Sequence, residues 1–171
     1  ASIDVPTARE NLGLAASERV LLFVGTLIEA KRPADLVHAV ARLKHNSLDV
    51  HLIMAGDGDL REHLEELSWA KGIHMTILGF RNQQDLPLVY RAADLLALPS
   101  ESETWGLVAN EALACGVPVL VSDTVGCARD LVANRGTGRI FRMGDIDDIA
   151  LKIEHLLTVD PVKGAIAEVV Q

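Results

Sequence analysis

Cysteine is scarce in this chain, and the two present, Cys115 and Cys127, stand outside any C-x-x-C or zinc-ligand spacing. Six histidines form no H-E-x-x-H or paired pattern, so no metal site is announced by spacing. Long apolar runs are missing too: no stretch approaches the roughly 18 unbroken apolar residues that a membrane span needs. The residues from Ala1 onward carry no signal-peptide pattern. A soluble domain in a reducing cytosol is therefore the expectation, with Cys115 as a small core residue at the end of an apolar helix.

Positive charge is also short. Lysine and arginine number 16 against 24 acidic residues, a net charge of -8, which argues against a general binder of nucleic acid or anionic membrane. Any phosphate site must then be local and built from backbone. The G-x-G-x-x-G signature of a dinucleotide site is absent where it would belong, since Gly25-Thr-Leu-Ile-Glu-Ala30 stands after the first apolar run. That disfavours a dinucleotide-dependent oxidoreductase. No internal repeat or low-complexity linker interrupts the chain.

What is present is apolar residues, 49% of 171, enough for the full core of one domain. They fall into an alternation of strands and helices. Arg19 to Gly25 and Asp49 to Gly56 are continuous apolar runs closed by glycine, as strands buried on both faces of a parallel sheet are. A polar turn from Thr26 to Pro33 leads to a helix with Leu36, Val37, Val40 and Leu43 on one side. A second helix runs from Leu60 to about Lys71, followed by a strand His74 to Leu78 and a helix Leu86 to Ala93. Strands at Asp94 to Leu98, Val117 to Val121 and Gly138 to Phe141 complete the set, with a short helix near Cys127 to Ala133. Asp145 begins a last helix whose core side is Ile146, Ile149, Ile153 and Leu156 to Leu157.

Strand and helix thus alternate about six times. The expectation is an open, doubly wound α/β domain, a Rossmann-like parallel sheet of about six strands with helices on both faces. Ligands of such sheets bind at the carboxyl ends of the strands, here the loops at Gly25 to Lys31, Gly56 to Asp59, Gly79 to Asn82 and Pro99 to Gly106. Opening at Ala1 rather than Met, in a short extended stretch before Pro6, the chain reads as a domain excised from a larger protein.

One stretch organises the rest. Pro99 to Asp123 holds a strand end, a polar loop, a short helix and the next strand, with the carboxylates Glu103 and Glu111 inside it. Glu111 is surrounded in sequence by Leu107, Val108, Ala109, Ala112, Leu113 and Ala114. A carboxylate in such company is costly unless something donates hydrogen bonds to it. Two sugar hydroxyls would do so, and so would a neighbouring backbone N–H with no ligand at all. Gly106, Leu107 and Val108 offer free N–H groups at the helix start, a seat for a diphosphate that Gly106 opens to close approach. The plain alternative is an ordinary helix start capped by Thr104. Asp57-Gly-Asp59 and Asp145-Ile-Asp147 imitate a metal-binding D-x-D, but both precede helices that an aspartate would cap, and no metal role is assigned to them.

Taken in order, Phe23-Val-Gly25, Lys31-Arg-Pro33, Ala55-Gly-Asp-Gly58, Leu78-Gly-Phe80, Tyr90 to Asp94, Leu98-Pro-Ser100, Glu103 to Glu111 and Gly116-Val-Pro-Val119 carry a resemblance. The chain resembles the C-terminal, donor-binding domain of retaining glycosyltransferases of the two-domain GT-B architecture (group 1, family four type), from about Asp4 to about Leu157. The resemblance implies that residues 1–171 are half of such an enzyme, with an N-terminal acceptor domain absent. It implies Glu103 at the donor-sugar hydroxyls, Glu111 at the ribose, and Lys31 neutralising the leaving diphosphate. It places Arg81 and Asn82 in the loop that seats the base, and Gly25, Thr26 and Arg32 in the loop by the phosphates. Thr26 departs from the family arginine, leaving a hydroxyl without charge unless Arg32 compensates. Trp105 stands where phenylalanine is common.

Further implications are transfer with retention of configuration, no metal or other cofactor, and a nucleotide-diphosphate sugar as donor. A saccharide or lipid-linked acceptor would be bound by the missing domain, which would also supply any contact with the inner face of the membrane. A nucleotide-binding or scaffolding module without transfer activity is the competing reading, motivated by Thr26.

Overall fold

The computed structural model describes residues 3–133, 136–159 and 166. The extreme ends of the expected 1–171 domain, including the start of the extended stretch before Pro6, lie outside the described residues.

Six strands form one sheet: β1 (Val20–Val24), β2 (His51–Ala55), β3 (Met75–Gly79), β4 (Leu95–Leu98), β5 (Val119–Ser122) and β6 (Gly138–Phe141). Their spatial order is β3-β2-β1-β4-β5-β6, and each neighbouring pair is parallel. Burial explains the hydrophobic runs, since every residue of β1, β2, β4 and β5 is buried. β3 is different. As an edge strand it is half-buried along its whole length, so the expectation that every strand is covered on both faces fails there.

Helices cover both faces. α1 (Val5–Asn11) packs on α4 (Leu86–Ala92), which meets α5 (Leu107–Ala114). α2 (Pro33–His45) lies between α3 (Arg61–Lys71) and α6 (Ile146–Thr158). Leu36, Val37, Val40 and Leu43 of α2 are buried as their spacing predicts. On α6, Ile149, Ile153 and Leu156 are buried while Ile146 and Leu157 are only half so. Short irregular helices occupy the connections, a 3-10 turn at Glu29–Lys31 inside the expected polar turn and a π-helical turn at Ala128–Ala133.

At the base of the sheet, Arg9 from α1 is buried and fully engaged. Its guanidinium donates to the carbonyls of Ala92 (3.2 Å), Ala16 (2.7 Å) and Glu18 (3.0 Å) and pairs with Asp94 at 2.7 Å. Asp94 also accepts the N–H of Val20 at 2.9 Å, tying the start of β1 to β4. These are the two strands at which the order of the sheet reverses. A reversal of this kind leaves a crevice between the loops leaving the two strands, the usual ligand position of open α/β sheets. Here those loops are the one after Gly25 and the one from Pro99 to Gly106.

Among the described residues, no helix is long and apolar enough to cross a membrane.

Candidate functional site

The loop after β4 is laid against the loop after β5. The N–H of Gly126 donates to the Glu103 carbonyl at 3.0 Å, and that of Cys127 to the Trp105 carbonyl at 2.9 Å. The two loops are so close that a Cβ on Gly126 would fall 1.9 Å from the Thr104 oxygen. This contact fixes residues 103 to 105 before the chain turns into α5.

The turn is made by Gly106 at φ 90 and ψ 60, a left-handed conformation for which glycine is suited. No side chain caps the helix. Thr104, the expected cap, does not serve as one. The leading N–H groups of α5 are therefore left to whatever occupies the space in front of them, since the first turn of a helix has no internal acceptors. That space is a cavity of about 370 Å³ lined by Gly25 and Thr26 from the first loop, Lys31, Glu103, and the helix start Gly106 to Val108.

Lys31 and Glu103 meet in it. The Lys31 Nζ lies 2.6 Å from Glu103 Oε2, with both side chains about a quarter exposed. Ser100 Oγ donates to the same carboxylate oxygen at 3.1 Å. Ser100 is itself fully buried, and its carbonyl accepts from Ser122 Oγ at 2.7 Å and Thr124 Oγ1 at 2.8 Å. Glu103 is thus positioned from two sides, by a cation and by a hydroxyl anchored to β5.

A second cavity, of about 240 Å³, shares Val24, Gly25 and Thr26 with the first and extends to Asp57, Phe80 and Arg81. Phe80 is 81% exposed at its rim. Arg81 Nε is buried and finds no hydrogen-bond partner, an unmet donor beside this cavity. A third cavity of about 270 Å³ meets the second at Leu86 and holds Tyr90 and Glu111.

Glu111 is half-buried and already has one donor: Tyr90 O–H bonds Glu111 Oε2 at 2.6 Å. The donor is neither the backbone N–H nor the ligand hydroxyl expected. Burial, and next the Glu111 carboxylate, push the Tyr90 phenol far above its ordinary range, so it stays protonated and donating. Cys115 borders the same cavity and is half-buried rather than a full core residue, while Cys127 is buried completely. Burial raises both thiols, which keeps them protonated.

Two expected site residues are not brought to the cavities. Arg32, left-handed at φ 50 and preceding α2, turns its guanidinium to Asp35 at 2.8 Å. Its charge is spent within its own helix turn, so it does not make up for Thr26. Asn82 bonds the N–H groups of Gln84 (2.9 Å) and Asp85 (3.0 Å), shaping the approach to α4. The D-x-D pairs divide. Asp145 caps α6 by accepting from the Asp148 N–H at 3.0 Å, as expected. Asp57 caps no helix: it accepts from the Gly58 N–H and pairs with Arg61, each at 2.9 Å, and α3 starts at Arg61, after Leu60, without a side-chain cap.

Tyr90, Ser100 and Phe80 are the site residues that sequence reasoning did not single out. Tyr90 acts on Glu111 from another helix, and only the packing of α4 on α5 reveals it, whereas Ser100 acts on Glu103 from three residues away in the same loop.

Residues 4–167 match the family described as Glycosyl transferases group 1. The D-inositol 3-phosphate glycosyltransferase of Mycobacterium sp. (strain JLS) is 39% identical over 165 residues, which cover 92% of this chain and 36% of that protein. Among solved structures, WaaG, a glycosyltransferase involved in lipopolysaccharide biosynthesis, superposes with a TM-score of 0.82 at 27% identity, covering 96% of this chain and 44% of the other. HepE of Anabaena in complex with UDP superposes with a TM-score of 0.84 at 27% identity, covering 98% and 46%. The chain spans less than half the length of each of these relatives.

Proposed function

The chain belongs to the glycosyl transferases group 1 family, and from that premise we propose that it is the donor-binding half of an enzyme that transfers a sugar from a nucleotide diphosphate. The observation that carries the reading is the meeting of Lys31 and Glu103 at 2.6 Å in front of the uncapped start of α5.

A helix start with open N–H groups favours an anion, and Lys31 lies on the wall of the same cavity. During transfer the bond between the sugar's anomeric carbon and the diphosphate oxygen breaks. A new bond forms to an acceptor oxygen, and the acceptor's proton leaves with the diphosphate. Negative charge grows on the departing oxygens, so a fixed ammonium and fixed N–H dipoles stabilise the transition state more than the ground state. Glu103 is placed to accept hydroxyls of the donor sugar, and Glu111 those of the ribose while Tyr90 occupies its other side. Arg81, with its unmet Nε, stands where the base would lie. Transfer with retention, independent of a metal or other cofactor, to a saccharide or lipid-linked acceptor held by a second domain completes the proposal. A cytosolic location belongs to it as well.

The test is calorimetric titration of this chain with uridine, guanosine and adenosine diphosphates; the UDP bound by the Anabaena relative makes the uridine compound the first choice. Binding of one of them, weakened by Glu111→Ala, is expected. If none binds at millimolar concentration, the donor-site reading fails.

Thr26 favours one other reading, a nucleotide-binding or scaffolding module without transfer activity. Thr26 lines both the first and second cavities, where it contributes a hydroxyl and no charge. Turnover by the full-length protein separates the two, and Lys31→Ala in that protein should reduce it.

A further inference from the structure

At the opposite edge of the sheet, three side chains far apart in sequence converge. Glu18 precedes β1, His51 opens β2, and His74 precedes β3. Because the strands are parallel and in register, all three stand at the amino ends, away from the cleft described above. We propose that Glu18, His51 and His74 form a binding site for a divalent transition-metal ion of the zinc, cobalt or nickel class. The site stands apart from the donor-site reading and does not depend on it.

Each residue offers one ligand atom, and these atoms all lie within 4.8 Å of one another; among the described residues no other group of this kind occurs. One carboxylate and two imidazoles make a donor set suited to zinc and its neighbours rather than to calcium or magnesium. The three residues also line a cavity of about 330 Å³, which leaves room for water as a further ligand.

The surroundings orient the donors as outer-shell groups of metal sites do. Glu18 Oε1 accepts the Ala15 N–H at 2.7 Å, which holds the carboxylate, and its Oε2 lies 2.7 Å from His51 Nδ1. His51 Nε2 lies 2.8 Å from Thr76 Oγ1. A hydroxyl serves as donor or acceptor, so both tautomers of His51 are satisfied. Without the ion, Nδ1 carries the proton to Glu18 and Nε2 accepts from Thr76. With the ion, the proton sits on Nε2 facing Thr76, and Nδ1 is free to coordinate. The acidic Asp49 borders the cavity, as do the cations Arg19 and Lys44, the latter donating to the Gly72 carbonyl.

His74 makes the geometry testable. Its ring stacks on His51 at a centroid separation of 3.6 Å and an interplanar angle of 15°. A metal lies in the plane of each imidazole that binds it, and stacked rings do not share a point in both planes. Binding therefore turns His74, which is exposed, out of the stack.

Calorimetric titration of this chain with Zn²⁺, and the visible absorption of its Co²⁺ form, test the proposal. One equivalent bound at low micromolar concentration, with the intense bands of low-coordinate cobalt, is expected. His51 is buried and its replacement risks the fold, so His74→Ala at the exposed position is the main variant. It should weaken binding by about tenfold or more, and Thr76→Val by about tenfold as an outer-shell change. Absence of binding in the unmodified chain overturns the proposal. So does undiminished binding by His74→Ala, which would place the ion on other histidines.

Discussion

Lys31 Nζ lies 2.6 Å from Glu103 Oε2, so the two side chains read separately in sequence form one unit. Without a ligand each satisfies the other, and a diphosphate entering the cavity competes with Glu103 for the ammonium. Opposite effects of two substitutions follow. Lys31→Ala should weaken nucleoside diphosphate binding by about one to two orders of magnitude, the loss of a charge-assisted hydrogen bond. Glu103→Gln should strengthen it by less than about fivefold, because a pair this exposed is worth no more than about 1 kcal/mol. Calorimetry on the two variants checks both signs; weakening by both would show that the pair acts as a single binding element.

The alternation of strands and helices and the location of the cleft were legible because parallel strands buried on both faces leave unbroken apolar runs, and glycines mark where several of them end. β3 was less so, since an edge strand keeps the same residue types with half the burial. Within the site, Lys31, Glu103 and the start of α5 are local to loops whose composition stands out. Apart from Ser100, the partners of the carboxylates are not local. Tyr90 reaches Glu111 through the packing of α4 on α5, and Glu18, His51 and His74 meet only through strand register. The side chains of Arg32 and Asn82 turn away from the cavities for a related reason. Each has a nearer electrostatic or capping task, with Asp35 and with the N–H groups before α4, and a composition-level reading does not rank such tasks against a ligand.

Gly106 carries two constraints at once. Its φ of 90 disfavours any side chain, and a Cβ there would meet Val125 Cγ1 at 3.0 Å and Cys127 Sγ at 3.3 Å. Gly136, at φ 64, has the first constraint only, with nothing within 4 Å of its Cβ position. Gly136→Ala should cost about 1 kcal/mol, the ordinary penalty of a left-handed alanine. Gly106→Ala should cost more and also reduce nucleotide binding, since the helix start must shift. Urea unfolding of both variants supplies the comparison, and equal losses would mean that the packing against Val125 and Cys127 yields without cost.

Trp105 lines the first cavity and is 37% exposed, whereas Trp69 on α3 is 86% exposed and remote from it. These are the two tryptophans of the chain. Nucleotide binding should therefore change the emission of Trp105 alone. Trp69→Phe is expected to keep the full change on titration, and Trp105→Phe to abolish it while leaving measurable affinity by calorimetry. A signal that follows Trp69 would put the ligand elsewhere.

Tyr90 is the single tyrosine of the chain, so the ultraviolet phenolate band reports it without interference. Its hydroxyl is raised in the folded chain by burial first and by Glu111 second, from an ordinary value of 10.0. The unfolded chain therefore gives up this proton at lower pH than the folded chain does. By linkage, the contribution to stability is fully present below pH 10 and is lost as pH rises beyond it towards the folded value. The phenolate band should consequently appear together with unfolding, not as a separate titration of the native state. Tyr90→Phe leaves Glu111 Oε2 without its donor and should cost about 1 kcal/mol at neutral pH. Above pH 10 the difference between variant and parent should shrink, because the parent alone has a phenol to lose. Urea unfolding at neutral and alkaline pH measures this. No difference at neutral pH would mean that Tyr90 stabilises only through its ring, which phenylalanine keeps; a constant difference across the range would mean that folding does not raise the phenol.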